Sequence, residues 1–138
     1  MIKHTAKKTI LLLVSDNLVR AVMQEKLEHE GYCVLATGDL GTAVDRLKEC
    51  RPDLLITRTY VSTITGHEAA KYLRTKCPQM RVLLVGGLLD DDRLRNRALL
   101  ERFDVFPPPY SPSEFLEKVR LVLSTDVREQ VRAAAGPE

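Results

Sequence analysis

The apolar run Ile10-Leu11-Leu12-Leu13-Val14 constrains the fold of this chain more than any other feature. A strand with one wet face alternates apolar and polar residues. A run without alternation is the pattern of a parallel strand covered by helices on both faces. Asp53-Leu54-Leu55-Ile56-Thr57 and Arg81-Val82-Leu83-Leu84-Val85 repeat it, and shorter strands are expected over residues 32–36 and 103–106.

Helical signals fill the intervals. Asp16 or Asn17 can cap a helix carrying Leu18, Val22, Met23 and Leu27 at three- and four-residue steps, with Gly31 as its stop. A second helix is expected over residues 40–50, with Ala43, Val44 and Leu47 on one face and Pro52 ending it. Residues 58–65 read as a long polar loop closed by Gly66, before a helix with Ala69, Ala70, Tyr72 and Leu73 that stops near Cys77-Pro78. Gly86-Gly87 breaks the following strand, and Asp90-Asp91-Asp92 favours the start of a fourth helix bearing Leu94, Leu99 and Leu100. Pro107, Pro108 and Pro109 end the last strand. Ser111-Pro112-Ser113-Glu114 then combines an N-cap, a first-turn proline and a capping-box glutamate ahead of Phe115, Leu116, Val119, Val122 and Leu123. Five strands alternating with five helices through short connections predict an α/β fold, a five-stranded parallel sheet wound on both faces. The expected organisation is an N-terminal extension over residues 1–8, one domain over 9–124, and a tail or linker over 125–138.

With 138 residues, one such domain buries roughly two thirds of its unfolded surface and needs no disulfide or metal staple. Lys and Arg number 21 against 19 Asp and Glu, a net charge of +2 that is too small and too evenly spread to imply nucleic acid. Cys33, Cys50 and Cys77 are odd in number and form no CxxC, which suggests neither a disulfide framework nor a zinc site. No apolar stretch reaches membrane-spanning length, and the cytoplasm is the expected compartment. No cofactor is expected.

Val14-Ser15-Asp16 after the first strand, Pro52-Asp53-Leu54-Leu55-Ile56 before a loop closed by Gly66, and Pro109-Tyr110-Ser111-Pro112 before the last helix carry a resemblance over residues 9–124. In layout the chain resembles response-regulator receiver domains. The resemblance implies a flavodoxin-like (βα)5 fold with sheet order 2-1-3-4-5 and a functional crevice at the carboxyl ends of the strands. The family's mechanism uses an acidic pair to hold Mg²⁺, an aspartate acceptor at the end of the third strand, a Thr or Ser after the fourth, and a Lys before a proline after the fifth. The cation and the lysine neutralise charge on the transferring phosphoryl group.

This sequence departs from that set at four of the five positions. The acidic pair reads Ser15-Asp16, the acceptor position Arg58, the Thr position Gly86 and the Lys position Pro108, while the aromatic switch position reads Val105. Asp53 cannot substitute as acceptor, because five residues of strand at about 3.3 Å each put it roughly 16 Å from Arg58, at the other end of the sheet. The resemblance thus implies a degenerate receiver that binds partner proteins in bacterial signalling. Its interaction face is expected on the fourth helix, last strand and last helix, with Arg93, Arg97, Val105, Phe106 and Lys118, and with a homodimer through that face as one outcome.

Two rival readings stand beside this one. Arg58 with Gly86-Gly87 would suit a small anion or nucleotide at the crevice. Ser15, Thr57, Thr59, Tyr60 and Ser62 would need an activating base for catalysis, and His67 is the histidine near them in sequence. A helix-start histidine reads more simply as a capping or surface residue, and His4 and His29 as solvated ones. Two geometric expectations follow from the layout: an ion pair between Arg58 and Asp16 across adjacent strand ends, and a cis Pro108-Pro109 peptide.

Overall fold

The structure, a computed structural model, describes residues 7–58, 60–61, 64–85, 103–106 and 111–124. Along the chain run β1 (Thr9–Leu13), α1 (Asn17–His29), β2 (Cys33–Thr37), α2 (Leu40–Glu49) and β3 (Leu54–Arg58). There follow the two-residue strands β4 (Tyr60–Val61) and β5 (Ile64–Thr65), then α3 (Gly66–Lys76), β6 (Arg81–Val85), β7 (Asp104–Phe106) and a C-terminal helix, α4 (Pro112–Ser124). The large sheet has the order β2-β1-β3-β6-β7 with every pairing parallel. Counting its strands alone, that is the order 2-1-3-4-5. The expected fourth helix, the proline run 107–109 and the tail 125–138 lie outside the described residues.

The unbroken apolar runs have the expected cause. Ile10, Leu11, Leu12 and Leu13 are all fully buried. Ile10 and Leu12 join a cluster with Met23, Leu27, Phe115 and Val119 from α1 and α4, whereas Leu11 and Leu13 join Ala43, Ala69, Ala70 and Leu73 from α2 and α3. A polar residue at any of these positions would be buried on one face or the other. Each such side chain contributes about 1.5–3 kcal/mol relative to an exposed one.

β6 spans the expected residues, whereas β1, β2 and β3 shift by one residue from the expected positions, because hydrogen bonding rather than hydropathy ends a strand. Asp53 stands just outside β3 yet ties three strands together at their amino ends. Its N–H donates to Thr9 O at 2.8 Å, its carboxylate accepts from Thr9 N at 2.8 Å, and its carbonyl accepts from Arg81 N at 3.0 Å.

Two expectations need correction. Residues 58–65 are not simply a loop, since β4 and β5 pair antiparallel, with Tyr60 opposite Thr65 and Val61 opposite Ile64. On α1, Met23 and Leu27 are buried but Leu18 is 74% and Val22 47% exposed. The arc facing the sheet is Val19, Met23 and Leu27 at i, i+4 and i+8. Leu18 and Val22 sit one residue, about 100°, around the helix from it.

Caps set the helix ends, at α1 and α4 as the sequence indicates. Ser111 and Glu114 form a reciprocal capping box at α4, Ser111 N donating to Glu114 Oε1 at 2.9 Å and Glu114 N to Ser111 Oγ at 3.1 Å. Thr65 and Glu68 form another at α3. Gly31, at φ +99°, turns the chain after α1.

Gly66 is required for a different reason. A Cβ placed there would lie 1.9 Å from the carbonyl oxygen of Arg58, so α3 can seat against the end of β3 only without a side chain. Gly66→Ala should therefore lower stability by about 1–3 kcal/mol through displacement of backbone rather than loss of burial. A denaturant midpoint equal to that of the parent would refute this close approach.

Candidate functional site at the carboxyl edge of the sheet

The register fixes what meets at the carboxyl ends of the strands. Leu13 lies between Thr37 and Thr57, and Arg58 lies beside Val85, so Val14, Ser15 and Asp16 leave β1 next to the point where β3 ends at Arg58. Ser15, Asp16 and Arg58 are thus brought to one edge. Gly86 and Pro108, expected at the same edge, lie outside the described residues, as do Thr59 and Ser62.

Asp16 is committed locally. It is the N-cap of α1, and its Oδ1 accepts from Val19 N at 2.9 Å. Among the described residues no ion pair joins it to Arg58, which corrects the expectation of a pair across the strand ends. The reason is competition: at the start of a helix a short carboxylate finds an unpaired N–H one turn ahead. Arg58 is partly buried, and Thr57 before it buries a hydroxyl that has no hydrogen-bond partner among the described residues.

The guanidinium that does engage this edge is Arg20, which the sequence reading did not single out. Its Nη1 donates to Val14 O at 2.7 Å and its Nη2 to Asn17 Oδ1 at 2.7 Å. It lies against Gly38, where a Cβ would fall 2.6 Å from Nη1. The available signal was a glycine directly after β2 and an arginine one turn into α1, which is meaningful only once β1 and β2 are known to be neighbours. Beyond Gly38, Asp39 caps α2. Its carboxylate accepts from Thr42 N at 2.7 Å and Thr42 Oγ1 at 3.1 Å, and these bonds hold its carboxyl below the ordinary range.

His67 does not sit at this edge as a surface or capping group. It is 3% exposed and meets Phe103 edge-on at 5.6 Å between ring centroids, with Arg74 over the same phenyl ring at 5.5 Å. Capping at α3 belongs to Thr65, which leaves the histidine to turn inward. His29 is exposed and His4 lies outside the described residues.

Of the expected interaction face, Arg93 and Arg97 lie outside the described residues, while Val105 and Phe106 belong to β7, which pairs with β6. Lys118 is held 3.6 Å from Asp104 and ties α4 to the start of β7. A different surface is open. Leu18, Val22, Met23, Lys26, Pro112 and Phe115 line a groove of about 350 Å³ between α1 and α4. No helix among the described residues is long and apolar enough to cross a membrane.

Comparison with known proteins bears directly on this edge. The response regulator receiver domain model matches residues 10–120, a span that takes in the large sheet from Ile10 of β1 onward. The chain belongs to the response regulator receiver family. Receiver domains of this kind serve two-component signalling. The chain is 26% identical over 119 residues to the alkaline phosphatase synthesis transcriptional regulatory protein PhoP of Bacillus subtilis (strain 168), a match covering 84% of this chain and 48% of that protein. It is also 26% identical over 117 residues to response regulator MprA of Mycobacterium avium (strain 104), covering 83% and 50%. The receiver chain therefore spans about half the length of these curated relatives.

Solved structures agree on the fold. A CheY-like response regulator receiver domain protein from Methanospirillum hungatei JF-1 superposes with a TM-score of 0.78 at 22% identity, covering 93% of this chain and 99% of that one. The receiver domain of sensor histidine kinase PA1611 from Pseudomonas aeruginosa PAO1, described with a magnesium ion coordinated in its active site cleft, gives 0.73 at 19% identity, covering 87% and 100%.

Two measurements check the geometry of this receiver edge. Asp16→Ala should cost about 0.5–2 kcal/mol as a lost N-cap, by the same amount whether residue 58 is Arg or Met, so a double-mutant cycle should give no coupling. A coupling clearly above error would restore the ion pair. For Asp39 the folded pKa lies below the unfolded value of about 3.9. Its stabilisation is therefore present above the unfolded pKa and is lost as pH falls through the folded one. Asp39→Asn should flatten the acid limb of the stability profile there, and an unaltered limb would contradict the assignment.

Proposed function

We propose that this chain is a pseudo-receiver, a receiver domain that does not accept a phosphoryl group and acts in the cytoplasm by binding a protein of a bacterial signalling pathway. The observation that carries this reading is Arg58 at the carboxyl end of β3, beside the exit of β1, where the family's mechanism requires an acceptor aspartate. A guanidinium offers no oxygen to phosphorylate.

The residues at this edge also do not fit a divalent cation. Mg²⁺ binds through oxygen ligands in near-octahedral geometry, usually with carboxylates. Here Asp16 already accepts a helix N–H, Ser15 supplies a neutral hydroxyl, and Arg58 and Arg20 bring positive charge. Gly86 and Pro108 at the remaining positions of the motif offer neither a hydroxyl nor an ammonium group. A function independent of phosphorylation needs a standing binding surface, and the groove that exposes Leu18 and Val22 between α1 and α4 offers one suited to an apolar helix face of a signalling partner. In this reading the domain regulates and does not catalyse. Dimerisation through the face of the expected fourth helix, the last strand and the C-terminal helix belongs to the same proposal.

A second reading draws on Arg20 and Arg58 at one edge, a pairing that would suit a small anion in the old crevice.

The test is incubation with acetyl phosphate and Mg²⁺ followed by intact mass. No phosphoryl gain is expected for the parent chain, nor for Arg58→Asp, since the other substituted positions still leave metal and charge unattended. A stable or acid-labile phosphoryl adduct on the parent would overturn the proposal. A rise in melting midpoint with phosphate, abolished by Arg58→Met, would select the anion-binding reading.

A further inference from the structure

The three cysteines, scattered in sequence, are brought to the opposite end of the molecule, the amino edge of the sheet, on the face covered by α2 and α3. Cys33 opens β2 opposite Thr9, and strand alternation puts it on the same face as Leu35, which packs on the α2–α3 side of the core. Cys50 is the C-cap of α2, its N–H bonded to Arg46 O at 3.1 Å, in extended backbone leading to Pro52. Cys77 is the C-cap of α3, and its Sγ lies 4.0 Å from Pro52 O.

Exposure grades across the cluster. Cys33 is exposed, Cys50 half-buried and Cys77 buried. Burial pushes the Cys50 thiol up, with smaller contributions from Cys33 and Cys77. Burial likewise raises Cys77.

We propose that Cys33 and Cys50 form an oxidation site, in which a hydroperoxide converts the two thiols into an intramolecular disulfide joining the start of edge strand β2 to the end of α2. Cys33, the exposed thiol, reacts first: its thiolate sulfur attacks the distal peroxide oxygen, the O–O bond breaks, and the departing oxygen takes a proton, leaving a sulfenic acid. The Cys50 sulfur then attacks the Cys33 sulfur. The S–O bond breaks, and the hydroxyl leaves as water with the Cys50 proton. Two thiols are oxidised by two electrons in all, and the peroxide is reduced to water and an alcohol, or to two waters for hydrogen peroxide.

Exposure sets the order: the first attack needs an accessible thiolate, which the exposed Cys33 offers, whereas the half-buried Cys50 gives up its proton as its sulfur attacks in the second step. Disulfide geometry requires Cα atoms within about 4.4–6.8 Å. Both residues lie at element ends, where backbone adjusts at less cost than within the central strands. Cys77, buried against Pro52, stays reduced.

The experiment uses the whole chain treated with hydrogen peroxide, alkylated and digested with trypsin. Cleavage after Lys26, Arg46 and Lys48 separates the two cysteines into peptides 27–46 and 49–58. A linked pair of these peptides is expected, with a single cysteine, Cys77, left for alkylation after unfolding, and with a raised melting midpoint that dithiothreitol reverses. Cys33→Ser and Cys50→Ser should each abolish the link, while Cys77→Ala and Cys77→Val should each retain it. Cys33 driven to sulfinic acid with Cys50 still alkylated, or a linkage found only between two copies of the chain, would overturn the proposal.

Discussion

Burial of a parallel sheet on both faces is the constraint on which the rest of this molecule depends. Each central strand sends alternate side chains into two separate cores, one under α1 and α4 and one under α2 and α3. Among the described residues, the helices have no other comparable apolar partner and the strands no other source of cover. With four of the five side chains of β1 apolar and fully buried, the dehydration of that strand alone amounts to several kcal/mol. This arrangement also decides where function can reside, because only the ends of the strands and the outer helix faces remain free.

The two ends of the sheet have been put to different use. At the amino end, Asp53 joins β1, β3 and β6 through backbone and carboxylate together, while the cysteines cluster on one face nearby. At the carboxyl end, charged side chains serve structure. Asp16 and Asp39 cap α1 and α2, and Arg20 satisfies the carbonyl of Val14. Arg58 is left among groups already engaged elsewhere. A basic residue at the end of β3 leaves the sheet undisturbed, since the strand's burial rests on Leu54, Leu55 and Ile56 below it.

Hydropathy and capping rules made most of this legible in advance. The strand runs, the Ser111–Glu114 capping box, the turn at Gly31 and the strand order implied by the receiver layout all appear in the structure, because each depends on local pattern or on a connection rule. Other features were illegible for definite reasons. The β4–β5 ribbon has strands of two residues, too short for alternation to show. Leu18 and Val22 fit a helical period, but the period leaves the rotational setting of α1 against the sheet open by one residue. His67 turned inward because Thr65 took the capping role and Phe103 provided a neighbour from a distant part of the chain.

The sequence alone determined the fold class and the runs that become the strands of the large sheet, since these follow from periodicity and breakers, and it named Asp16 and Arg58 as candidates at the strand ends. Tertiary structure alone decided which of those residues interact. Whether Asp16 pairs with Arg58 or with its own helix depends on competition between a cross-strand cation and an N–H one turn away, and proximity favours the helix. Likewise Gly66 and Gly38 look like ordinary turn glycines in one dimension. Their need for a missing side chain becomes evident only where the Arg58 carbonyl and the Arg20 guanidinium occupy that space.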